Sequence, residues 1–144
     1  MSYRKHHGIA LLIGVPLTII ALRLEPLLTS ASVAMMMKGG AIAFATAATT
    51  KVAIQAILLA PGIFVGWVAG TRGTILGLAA GAFGSVIYSV AFATTLQTPA
   101  HPYLPNPWSW VVGEVLTQAI LTAVAGGAGQ LLRSNKSLER TRGE

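Results

Sequence analysis

Residues 61–84 read PGIFVGWVAGTRGTILGLAAGAFG and place glycines at Gly62, Gly66, Gly70, Gly73, Gly77, Gly81 and Gly84. Steps of three and four keep these glycines on one helix face, because positions so spaced lie one above the other. A single rod over residues 52–96 would be about 65 Å long at 1.5 Å per residue, roughly twice what a bilayer core accepts. The chain must therefore double back, and Gly70-Thr71-Arg72-Gly73 is where it does so. Glycine supplies the positive φ that a tight reversal needs, and Arg72 marks the turn as wet. The stretch reads as two membrane helices on a short turn, their glycine faces directed toward each other or toward a neighbouring chain.

Composition agrees with a membrane setting. Of the 144 residues, 53% are hydrophobic and 10% charged, whereas a soluble domain carries about 25% charged residues. The length fits one helical membrane domain over residues 1–144, with no room for a separate soluble catalytic domain. The absence of cysteine excludes a disulfide framework, thiol redox chemistry and Cys-ligated metal. Most of the net charge of +6 sits at the chain ends and at one turn. With no basic stripe of interleaved aromatics, anionic lipid headgroups are the expected partner and nucleic acid is not.

Arg4 and Lys5 precede an apolar run at 8–24 that is long enough to span and contains Pro16. A competing reading makes residues 1–34 a cleaved signal peptide, against which stand Arg23, Glu25 and the spans that follow. His6 and His7 lack the neighbours a metal site needs and read as part of a basic headgroup anchor. Glu25-Pro26 is expected to break the helix. Residues 25–50, weakly apolar with Lys38 at the centre and the Met35, Met36, Met37 triplet, are expected to form an interfacial or re-entrant pair of short helices. A second span covers 52–70, bent at Pro61. A third covers 74–96, with close backbone packing expected at Gly73, Gly77 and Gly81. Residues 97–107, rich in proline and including His101, read as an extended loop. Trp108, Trp110 and Tyr103 read as an interfacial aromatic belt. The fourth span covers 108–132, and 133–144 is a flexible basic tail.

Four spans with both ends inside put Arg4, Lys5, Arg72, Arg133, Lys136, Arg140 and Arg142 in the cytoplasm and Arg23, Lys38 and Lys51 outside. That distribution obeys the positive-inside rule, and a fifth span would separate the basic head from the basic tail. The expected fold is thus an all-α bundle of four transmembrane helices in a plasma or inner membrane, with both termini cytoplasmic.

Glu114 is the acidic residue inside a span, followed at four-residue steps by Gln118 and Thr122. An ionisable group at such a place is a functional-site hypothesis by default. Lys51 and Gln55 head the second span at the same expected depth, so a Lys51–Glu114 pair across the outer half is anticipated, flanked by the two glutamines. Such a pair serves either as structural glue or as a transport site. No nucleophile with a base, paired carboxylate or metal-ligand set lies within a span, so neither an enzyme nor a cofactor is expected. The reading that follows is a small multi-pass subunit whose glycine faces drive association with itself or another membrane protein. The alternative is a small-solute or proton transporter or channel using Glu114 and its polar neighbours.

Overall fold

A computed structural model describes residues 3–92 and 107–142, with side chains placed over 6–91 and 111–135. It consists of four helices: α1 (Tyr3–Met36), α2 (Ala41–Ala69), α3 (Gly73–Phe92) and α4 (Pro107–Arg142). Each holds a segment long and apolar enough to cross a membrane, of 31, 29, 19 and 25 residues in chain order. The chain is an integral membrane protein on that ground. The α2–α3 turn lies where the glycine spacing places it: Gly70 closes α2 in the left-handed region at φ 68° and donates its N–H to the Gly66 carbonyl. Arg72 follows at φ 57° and is exposed.

Helices α1 and α4 do not touch each other among the described residues; both pack on α2 and α3, from opposite sides. The α2–α3 pair is the middle layer. Two apolar clusters fill the α1 side. Ala21, Leu22, Ile54, Leu58 and Tyr88 make one, and Ala10, Val65, Ala69 and Ala80 the other. Many of these residues are small, so helix backbones approach closely and dispersion between well-fitted surfaces holds them, as packing in lipid requires.

The stretch at 25–50 departs from expectation. Helix α1 runs through Pro26 to Met36, a turn follows, and α2 begins at Ala41. What was read as a separate pair of interfacial or re-entrant helices is the continuation of two span-forming helices into one long hairpin. Proline deprives the Leu22 carbonyl of its donor, but neighbouring helices make such a loss tolerable in membrane helices. Here α2 supplies the neighbour. Ala47 is fully buried against α1, and Ser32 donates to the Ala47 carbonyl at 3.4 Å. Pro61 likewise sits inside a continuous α2.

Taking the α2–α3 turn as one end, helical rise gives the height of every other residue. His7 belongs to that end, since its Nε2 lies 3.2 Å from Thr71 Oγ1, and so does Arg133, which reaches the end of α2. Above it, Arg23, Glu25, Lys51 and Glu114 all fall at about 24–29 Å. Helix α3 ends at about the same height. The spacing of these two charged levels matches a hydrocarbon core of about 30 Å. The α1–α2 hairpin continues about 15 Å further, to Lys38.

The end of α4 is a second departure. Residues 133–142, expected as a flexible tail, continue the helix to Arg142. Leu131, Leu132, Lys136, Leu138, Glu139 and Arg140 are good helix formers, and a helix already nucleated in the bundle propagates through them. The proline-rich loop with His101 and Tyr103, and the end of the third span at 93–96, lie outside the described residues. So do the side chains of Trp108 and Trp110.

Candidate functional site

The polar side chains of the bundle are organised by α4. Gln118 and Thr122, predicted as a stripe below Glu114, are both buried. The stripe does not stop there. Gly126 and Gln130 continue it at the same four-residue step, and Arg133 follows one turn later, all on the face turned to α2 and α3.

The predicted glycines meet this stripe rather than mainly each other. A Cβ on Gly62 would lie 2.5 Å from the Thr122 carbonyl oxygen and 2.9 Å from the Thr122 Cα, and one on Gly81 would lie 2.7 Å from the Gln118 carbonyl oxygen. On Gly77 it would strike the Thr122 carbonyl. On Gly66 or Gly73 it would strike the Gly126 carbonyl, while the Gly73 position also sits 3.0 Å from the Gly66 Cα. Three backbones therefore cross at Gly66, Gly73 and Gly126, each with nothing but hydrogen between them. Gly84 is the exception in direction: a Cβ there would lie 2.6 Å from the Thr18 Cβ of α1. A Cβ on Gly70 would lie 2.7 Å from Arg133 Nη1.

Around this crossing α4 closes both ends of the turn. Gln130 Oε1 accepts the Gly73 N–H at 2.8 Å, satisfying one of the free donors at the start of α3. Arg133 Nη1 donates to the Trp67 and Val68 carbonyls at 3.0 and 2.6 Å, satisfying free acceptors at the end of α2 and placing positive charge at the negative pole of that helix. Neither residue was singled out from the sequence. The signal was there for Gln130 in the four-residue step; Arg133 was hidden among the tail charges.

Higher in the bundle, Gln118 Nε2 donates to the Leu58 carbonyl at 3.3 Å, one residue from the carbonyl that Pro61 leaves without its helix partner. Thr122 returns its hydroxyl to the Gln118 and Ala119 carbonyls at 2.7 and 3.2 Å. Thr18 and Ser85 likewise bond back to Gly14 and Gly81 of their own helices. Ser89 differs: it is 2% exposed, and its hydroxyl has no hydrogen-bond partner. The α3–α4 register pairs Gly77 with Thr122 and Gly81 with Gln118, so one turn further it brings Ser85 level with Glu114 and leaves Ser89 about 6 Å above that level.

The anticipated Lys51–Glu114 pair is not formed. Lys51 and Gln55 are exposed on α2, no ion pair joins Lys51 to Glu114, and the charge within reach of the half-buried Glu114 is the Glu25 carboxylate. The sequence gives both residues the correct height but not their angular positions, which point them to different sectors. Among the described residues no three His, Asp or Glu side chains converge in a way that would hold a metal ion.

On the outer face of α1 and α2 lies an open apolar groove of about 510 Å³. Its floor is Ala21, Ala56, Ala60 and Pro61, its rim includes Phe64, and its lower end is Trp67. No family model, curated protein or solved structure matches the chain.

Proposed function

We propose that this protein is a small multi-pass membrane subunit whose task is assembly, with its contact surface on the projecting end of the α1–α2 hairpin. The glycines that first suggested association are occupied inside the chain, where α4 fills the crevice between α2 and α3. What supports assembly instead is the apolar character of a hairpin end about 15 Å beyond the end of α3. Met37 and Ile42 are each 85% exposed there, with Phe44 and Val33 exposed beside them. Contiguous apolar surface at such a place marks interaction sites, and methionine adapts to the partner it meets. The same reading puts the His7, Arg72 and Arg133 end, with both termini, on the cytoplasmic face of a plasma or inner membrane, following the positive-inside rule.

The test is crosslinking of the protein in its native membrane from Met37→Cys, on a background that has no other cysteine. A discrete adduct with a second copy or another protein, lost in Ile42→Glu/Phe44→Glu, is the expected outcome. A Met37→Cys thiol labelled freely by water-soluble maleimide, with no adduct, overturns the reading.

A second reading, passage of a small solute or proton past Glu114, rests on one observation. Ser89 is a buried hydroxyl without a partner, about one helical turn from the level of that carboxylate. Proton or solute flux into sealed vesicles, abolished by Glu114→Gln, would favour it; vesicles no leakier than protein-free ones would dismiss it.

A further inference from the structure

We propose that the groove between α1 and α2, together with Arg133 at its lower end, is a binding site for one anionic phospholipid. The groove runs up from the lower charged level and reaches the upper one at Leu24, beside Arg23. On α2 it extends from Ala56 to Trp67, about 17 Å of helix, which keeps that wall within the hydrocarbon slab. The volume of about 510 Å³ lies in the range of ligand sites, and the groove opens along its length toward lipid. Its lining is apolar apart from the Trp67 indole, so it offers no hydrogen bond to a polar solute and full contact to an acyl chain.

Charge decides the headgroup. Trp67, nearly half exposed, stands about 5 Å from the turn, at the depth where indoles mark the headgroup boundary. Its carbonyl is held by Arg133 Nη1, which fixes the guanidinium beside the mouth of the groove. Only Nη1 is engaged there, which leaves the Nε and Nη2 hydrogens of an exposed guanidinium directed at no acceptor among the described residues. A planar guanidinium with free donors is matched by phosphate. Arg72, at the same end, adds to the local positive field. Basic residues at the mouth of an apolar interhelical groove together specify a lipid carrying negative charge.

The proposal is tested on the full chain purified in a neutral detergent, offered equal amounts of phosphatidylglycerol and phosphatidylcholine, with retained lipid counted by native mass spectrometry. The parent is expected to retain one lipid and to prefer phosphatidylglycerol by about fivefold, the ratio that one basic residue near a phosphate supplies. Arg133→Gln should retain lipid but lose that preference. Ala60→Phe, which fills the groove from an exposed position, should retain neither lipid while the far-UV spectrum and elution volume stay those of the parent. Equal retention of both lipids by the parent overturns the proposal, and so does undiminished retention by Ala60→Phe. Crosslinking of Ala60→Cys to the same residue of a second copy, with no lipid bound, overturns it in favour of a protein occupant.

Discussion

Substituting Gly126 with alanine tests the packing directly, because a single methyl group enters the point where three helix backbones cross. Its Cβ would strike the Gly73 carbonyl oxygen and would lie 2.9 Å from the Gly73 carbonyl carbon and 3.3 Å from the Gly77 Cα. All of these are backbone atoms, so no side chain can rotate away. Either α4 retreats from α3 or the chain carries the strain. Overfilling a packed site costs about 1–3 kcal/mol, against which alanine gains about 1 kcal/mol of helix propensity over glycine. Gly113→Ala isolates the second effect, since a Cβ there meets nothing within 4 Å. The propensity gain cancels between the two variants. Gly126→Ala should then unfold more readily than Gly113→Ala by about 1–3 kcal/mol, or about 5- to 150-fold in the equilibrium constant. Reversible unfolding in mixed micelles, followed by loss of tryptophan fluorescence, measures it. Equal stability of the two variants would refute the crossing at Gly66, Gly73 and Gly126.

Other outcomes follow from the same geometry. Arg133→Gln should speed amide exchange over the last turn of α2 and cost about 1 kcal/mol, because its hydrogen bonds are charge-assisted but exposed; Arg133→Lys should rescue this only in part, since an ammonium cannot reproduce the planar fork. Gln118→Leu should cost about 0.6 kcal/mol, the common worth of an interhelical hydrogen bond in lipid, and a loss of several kcal/mol would mean that Gln118 does more than bond Leu58. In Ser32→Cys/Ala47→Cys the two thiols should oxidise to an intramolecular disulfide without reductant, because α1 and α2 are paired beyond Pro26; recovery of free thiols after mild oxidant would restore the break at Glu25-Pro26.

How far the fold was legible depended on whether local rules and packing agreed. At the α2–α3 turn they did: glycine spacing, the length limit of a span and Arg72 all pointed to residues 70–73, and the structure turns there. At 25–50 they did not. Proline and a central lysine are local signals for interruption, but the pairing of Ser32 and Ala47 across α1 and α2 is a property of two segments together, invisible in either alone. The glycine faces meet α4 as well as each other, a contact that glycine spacing within α2 and α3 does not reveal, because α4 hides its own crossing glycine inside a polar stripe. Gln118 and Thr122 were found through their spacing, while Gln130 and Arg133 were missed because a charge count treats polar residues near a terminus as solvated. The Lys51–Glu114 pair failed for a different reason. Helical rise fixes height from sequence number, but the rotation of each helix about its axis is fixed only by what it packs against.

The position of α4 in the chain has a consequence for biogenesis. It is the last of the four helices to leave the ribosome, yet it supplies the carbonyl edge against which the α2 and α3 glycines fit, the acceptor for the first α3 amide and the donor for the last α2 carbonyls. Until it arrives, the earlier helices hold an open, side-chain-poor cleft facing lipid. A translational arrest ahead of α4 should leave an intermediate that membrane-protein quality control recognises, and whose rescue requires only this one helix, supplied even as a separate polypeptide.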